Sequence, residues 1–172
     1  MKKIMIRIVI CFLTMMGCFL NGMGKVEAKR LRAENSMPRY LDRQIATGDA
    51  EQLREVAKCE AATEKHLIEV AKICAGQEKY WVIKIAKFLE KNPRCTGKVM
   101  EELAKSENPH IRLIVAKSKK SNEKALMSVA IELVQQYANN RGMDDYMWDT
   151  TDAIIKNPKR TSRILSEIAK CC

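Results

Sequence analysis

Thr96-Gly97-Lys98-Val99-Met100-Glu101-Glu102-Leu103-Ala104-Lys105-Ser106-Glu107-Asn108-Pro109-His110-Ile111-Arg112-Leu113-Ile114-Val115-Ala116-Lys117 is the stretch on which the fold turns. Thr96 carries a side-chain oxygen suited to a helix start, and Met100, Leu103 and Ala104 follow at i, i+3 and i+4 on one helical face. After a break at Ser106-Glu107, Asn108 and Pro109 mark a second start, since proline fits the first helical position. The spacing predicts a short helix, a tight turn and another short helix.

The first half of this unit recurs along the chain. Thr63 to Ala71, Asn122 to Ala130 and Thr161 to Ala169 each open on a capping residue and carry a cation two places later, at Lys65, Lys124 and Arg163, as Lys98 follows Thr96. A large apolar residue occupies the fifth place, at Leu67, Met100, Leu126 and Leu165, and Ala the ninth. A small residue at a fixed point of the buried face lets a neighbouring helix approach closely.

The second half recurs as well. Seven residues before each cap stands Val56, Leu89, Val115 or Ile154, followed two places on by Lys58, Lys91, Lys117 or Lys156. These belong to partner helices, read as Asp49 to Lys58, Lys79 to Lys91, Pro109 to Lys117 and Asp144 to Lys156. Pro93 and Pro158, in matching Lys-Asn-Pro triplets, end two of them, because the residue before proline avoids helical geometry. Cap-to-cap spacings of 33, 26 and 39 residues place the excess at Ile73 to Lys79 and Leu133 to Asp144, between a capped helix and the next partner helix. Insertions confined to one edge are what a stack of repeats tolerates. Met37 to Ala46 reads as a degenerate first capped helix.

The runs Leu103 to Lys117 and Lys156-Asn157-Pro158-Lys159-Arg160-Thr161 resemble the leucine-rich-repeat-variant (LRV) family. The resemblance covers residues 38–172 and implies an all-α fold: a right-handed α-solenoid of short stacked helix pairs, akin to HEAT repeats, with an interaction role. It implies no substrate. No four-cysteine run is present from which an iron-sulfur segment would be expected, and no cofactor is implied.

Ahead of the repeats, residues 1–28 read as a signal peptide. Lys2, Lys3 and Arg7 precede the apolar run Ile8 to Leu20, which is short for a membrane span, and Val26-Glu27-Ala28 suits cleavage after Ala28. Met15-Met16-Gly17-Cys18 offers a lipoprotein alternative and an uncleaved anchor a third; residues 29–37 form a linker. The expected location is secreted or in the cell envelope.

An exported chain sits where disulfides persist, and Cys59 and Cys95, in the turns that open consecutive capped helices, are candidates to pair. Cys74 and Cys172 fall on the apolar face, where burial as small hydrophobes is expected. His66 and His110 stand singly in first helical turns, expected at the surface. Asp145, Asp149 and Asp152 share a helical face, though acidic residues also suit a helix start. No nucleophile elbow, phosphate-cradling glycine loop or HExxH motif appears, and the chain reads as non-enzymatic, without a metal.

The net charge of +10 favours acidic partners. Stacking turns Lys65, Lys98, Lys124 and Arg163, and likewise Lys58, Lys91, Lys117 and Lys156, into two basic ridges that suit an anionic polymer, a membrane surface or nucleic acid. Glu69, Glu102 and Glu167 lie four residues after three of these cations, where they are expected to pair with them. With 5% aromatics, stacking on nucleic-acid bases is disfavoured. Trp81 and Tyr146, with Trp148 beside the latter, suit either core packing or anchors for a bound protein. The leading expectation is a module that binds another protein.

Overall fold

The computed structural model describes residues 37–139 and 145–171. Residues 1–28, read above as a signal peptide and including Cys18, lie outside the described residues, as do Asp144 and Cys172. The repeated helices belong to one compact unit, Leu41–Cys172. Among the described residues every regular element is helical: the chain is all-α.

Helix α1 covers residues 37–47. It is followed by α2 (Ala50–Lys58), α3 (Glu64–Ala75), α4 (Tyr80–Lys91), α5 (Gly97–Leu103), α6 (Pro109–Lys117), α7 (Glu123–Ala138), α8 (Asp145–Lys156) and α9 (Ser162–Ile168), with a 3-10 turn at Ala169–Cys171. The caps are largely those the sequence predicts. Asp49 accepts hydrogen bonds from the Glu51 and Gln52 amides, Asn108 from His110, and Asn122 from Ala125. The excess between repeats is absorbed in part by helix: α3 has 12 residues and α7 has 16, against 7 in α5 and in α9.

Contacts sort the helices into two rows. In the first, α2 packs on α4, α4 on α6 and α6 on α8; in the second, α3 packs on α5, α5 on α7 and α7 on α9. Sequential helices join the rows. Leu53, Val56, Leu89, Val115 and Ile154 from the first row and Leu67, Val70, Met100, Leu103, Leu126 and Val129 from the second are fully buried, or nearly so, in one continuous core. Truncating one such leucine to alanine removes about 2 to 5 kcal/mol.

The fourth copy departs from the expected column. Leu165 is 38% exposed, whereas its counterparts Leu67, Met100 and Leu126 are fully buried; the fourth place, at His66, Val99, Ala125 and Ile164, is buried in all four units. The fifth place is buried in the units that a further second-row helix follows, and among the described residues none follows α9. Ala169 is exposed for the same reason, while Ala71, Ala104 and Ala130 are buried.

A repeated polar contact ties the units together. The residues ending the first-row helices are Cys59, Asn92, Ser118 and Asn157. The Asn92 side-chain amide donates to the Ala57 and Cys59 carbonyls at 2.9 and 3.1 Å; that of Asn157 donates to Ala116 and Ser118 at 2.8 and 3.0 Å. Ser118 donates to the Glu90 carboxylate instead, at 3.2 Å, and the Lys120 ammonium donates to the equivalent carbonyls of Glu90 and Asn92, at 2.6 and 2.7 Å. Each asparagine oxygen also accepts an amide within its own turn, from Arg94 or Lys159. These residues hold the prolines' turns as much as the prolines do.

Replacing Asn92 or Asn157 with Ala strips partners from two helix-end carbonyls, and an expected loss of about 2 to 3 kcal/mol should appear in urea unfolding. Asn157→Asp, which turns a donor into a buried acceptor facing carbonyls, should lose more than Asn157→Ala.

Candidate functional site

Because the two rows are joined by short turns, the C-terminal ends of α2, α4, α6 and α8 meet the N-terminal ends of α3, α5, α7 and α9 along one edge. The hydrogen bonds from Asn92, Lys120 and Asn157 hold these turns side by side. A second set does so from the capped helices. The Thr96 hydroxyl donates to the Glu64 carboxylate at 2.6 Å, and that of Thr161 to Glu123 at 3.0 Å. Thr96 makes no side-chain cap on its own helix, contrary to expectation; its hydroxyl serves the neighbouring unit. Gly97 follows from the same crowding, since a Cβ there would stand 2.7 Å from the Asn122 side-chain nitrogen.

Both predicted basic ridges lie on this edge, with further cations in the turns between them. Lys91, Arg94 and Lys98 come from one unit, Lys117, Lys119, Lys120 and Lys124 from the next, and Lys156, Lys159, Arg160 and Arg163 from the last. Carboxylates lie among them: Glu64, Glu90 and Glu123 accept hydrogen bonds from Thr96, Ser118 and Thr161, and Glu101 pairs with Lys124. An open hollow of about 680 Å³ spans the edge, lined by Thr96, Gly97, Lys98, Lys119, Lys120, Asn122, Lys159 and Thr161 among others. The first turns of α2 and α8, at the other ends of the first row, carry Glu51 and Asp145.

The two ridges differ physically. Lys58, Lys91, Lys117 and Lys156 occupy last turns, where the negative end of the helix dipole favours a cation. Lys58 also pairs with Glu55 at 3.2 Å and lies over the Phe88 ring, and Lys156 pairs with Asp152 at 2.7 Å. Lys65, Lys98, Lys124 and Arg163 occupy first turns, where the dipole opposes them. Their expected i,i+4 partners are taken: Glu69 pairs with Lys72 at 2.9 Å, Glu102 with Lys105 at 2.7 Å and Glu167 with Lys170 at 2.6 Å. Side chains lean toward the helix N-terminus, so a lysine three places after each glutamate reaches it more directly. Lys65, Lys98 and Arg163 are exposed and have no ion pair among the described residues.

Lys124 is the exception, bridging units through a 2.8 Å pair with half-buried Glu101, which also accepts a hydrogen bond from the Asn122 side-chain amide at 2.8 Å. Donation by Lys124, then by Asn122, holds the Glu101 carboxyl below its ordinary value, and the hydrogen bond to Glu101 with its negative charge raises Lys124.

The remaining candidates are distributed elsewhere. Cys59, Cys74 and Cys95 are free thiols, and burial pushes Cys74 up to about 12 and Cys95 up to about 11. His66, expected at the surface, is buried: its Nδ1 accepts the Thr63 amide at 3.0 Å and its Nε2 lies 3.3 Å from Asp42. It closes a capping box and ties α3 to α1. Trp81 is half-buried against the core, Tyr146 sets its ring edge against His110 at 4.3 Å, and Trp148 is 59% exposed. Arg112, which the periodicity places on the buried stripe three residues before Val115, donates to the Ser106 carbonyl and lies 3.7 Å from Glu132. Among the described residues no three His, Cys, Asp or Glu side chains are grouped to hold a metal, and no helix is long and apolar enough to cross a membrane.

Comparison with known proteins finds no family model, no curated protein and no solved structure that matches the chain.

Because the folded carboxyl of Glu101 titrates lower than the unfolded one, its contribution is full above the ordinary carboxylate range and fades as pH falls through the lowered value. The stability difference between wild type and Glu101→Gln should therefore be largest near about pH 6 and shrink by about pH 3, as followed by urea unfolding. A second expectation concerns the thiols: without reductant, iodoacetamide should leave Cys74 and Cys95 unmodified in the native chain and label both in urea. A Cys59 to Cys95 disulfide would keep both of those thiols unlabelled in either state.

Proposed function

We propose that this chain is an exported, non-enzymatic helical-repeat module, a right-handed α-solenoid similar to the leucine-rich-repeat-variant family, that binds another protein with an acidic surface. The observation that carries this reading is the alignment of cations from successive units on the turn edge. Three of the first-turn cations, Lys65, Lys98 and Arg163, oppose their own helix dipoles and make no ion pair among the described residues, so helix stability gives little reason for their recurrence. A partner carboxylate in that place would gain from both the side-chain charge and the helix N-terminus.

The row packing supports the solenoid part of the reading. Helices two apart in sequence contact each other throughout, and equivalent polar groups meet at successive units, as translation of one repeat produces. The apolar run and cleavage signal of residues 1–28 support export.

A second reading, electrostatic attachment to an anionic polymer or membrane surface, is favoured by the continuity of the edge over three units. A linear polyanion releases counterions on binding, so its affinity falls steeply with salt. A folded acidic protein held at a few contacts is less sensitive.

Affinity capture from the native cells, with wild type and with a Lys98→Glu, Lys159→Glu, Arg163→Glu variant as bait, tests the first reading. The captured protein should be lost from the variant while its helical circular dichroism is unchanged; equal capture would overturn the assignment of the edge. In parallel, binding of a sulfated polysaccharide that weakens about tenfold or more between 50 and 200 mM salt would favour the second.

A further inference from the structure

Units of a repeat serve as controls for one another, and one of them breaks a surface rule that the others keep. On the outer face of α3, α5 and α9, the seventh and tenth places counted from the cap hold an ion pair: Glu69 with Lys72, Glu102 with Lys105 and Glu167 with Lys170. In α7 the same places hold Ser128 and Ile131, and Ile131 is 41% exposed. Met127 beside them is half-buried against the core. This ion pair is therefore missing from α7, where an open groove of about 610 Å³ runs toward α9.

The rim of this groove is charged asymmetrically. Glu123 and Lys124 stand at its α7 end, and each is already engaged: the Glu123 carboxylate accepts from Thr161 at 3.0 Å, and Lys124 pairs with Glu101 at 2.8 Å. Arg163 comes in from α9 and has no carboxylate partner among the described residues. An apolar floor beneath one uncompensated guanidinium is complementary to an apolar side chain with a carboxylate next to it. The planar fork of arginine binds a carboxylate through two parallel hydrogen bonds, which sets the direction of the bound chain.

We infer that the α7–α9 groove takes a peptide segment of the partner protein: one apolar side chain seated on Met127 and Ile131, flanked by an Asp or Glu held by Arg163. This rests on the protein-binding reading and narrows it. The basic edge attracts the acidic partner over a distance, and the groove selects among acidic sequences. Charge alone cannot make that selection, because it is blind to what lies between the carboxylates.

The test uses the full chain and two labelled probes, the peptide acetyl-Asp-Glu-Phe-Glu-Asp-amide and the same peptide with Ala in place of Phe, with poly-L-glutamate as a third ligand. The Phe peptide should bind about tenfold more tightly than the Ala peptide. Ile131→Lys should abolish that difference while leaving poly-L-glutamate binding intact, and Arg163→Gln should weaken the Phe peptide more than poly-L-glutamate. Both positions are exposed, and circular dichroism checks that the variants fold. If the two peptides bind equally while poly-L-glutamate still binds, the groove is overturned and the basic edge stands. If none of the three binds, both fall. Displacement of the Phe peptide by laurate at comparable concentration would make the occupant a fatty acid and overturn the peptide assignment.

Discussion

An α-helix leaves carbonyls without partners at its C-terminal end, and in this chain the ends of α2, α4 and α6 are completed by the unit that comes after. Ala57 and Cys59 are served by Asn92, Glu90 and Asn92 by Lys120, and Ala116 and Ser118 by Asn157. A buried carbonyl deprived of its donor costs about 1 to 3 kcal/mol. Sliding one unit against the next would forfeit two such contacts at once, whereas hydrophobic packing alone is tolerant of small shifts. The donor differs, amide or ammonium, but the two carbonyls do not. Register between units is thus set by backbone geometry, and the apolar columns of Leu67, Met100 and Leu126 follow from it.

The same contact decides where charge accumulates. Turns held side by side bring the last turn of one helix and the first turn of the next onto a common edge, so any cation recurring in either place becomes part of a line. Three kinds of lysine and arginine then share that edge for different reasons. Lys120 is consumed in joining units. Lys91 and Lys117 sit at favourable dipole ends and need no partner to be explained. Lys98 and Arg163 satisfy neither description, and they are where an external carboxylate has most to offer.

Periodicity made much of this legible. Helix positions, the Asp49, Asn108 and Asn122 caps and the buried columns all follow from residues spaced three or four apart, because a helix buries one stripe and each cap closes a local hydrogen bond. What periodicity could not supply is the order of layers. Leu165 fits the column as well as Leu126 does, yet it is exposed because burial at that place depends on a following helix. Contacts that cross units were also hidden: the Lys-Asn-Pro triplets were legible as proline stops, while the asparagine between lysine and proline makes the contact of widest reach. Thr96 looks like an ordinary cap and serves the neighbouring unit instead. His66, solitary in sequence, is completed by Thr63 and by Asp42 from another helix. The burial of Arg112 is implicit in its place on the apolar stripe, but its partners are not.

The groove on α7 is hard to account for by stability. Exchanging an exposed i,i+3 ion pair for Ser128 and Ile131 forgoes about 0.2 to 0.5 kcal/mol of pairing and adds no core contact. Exposing isoleucine gains nothing in water. Both members of the pair are absent, on the longest of the described helices and beside a rim cation, Arg163, that has no carboxylate partner among the described residues. Surface residues of a repeat are otherwise free to vary singly, so a paired departure confined to one groove points to a constraint from outside the fold.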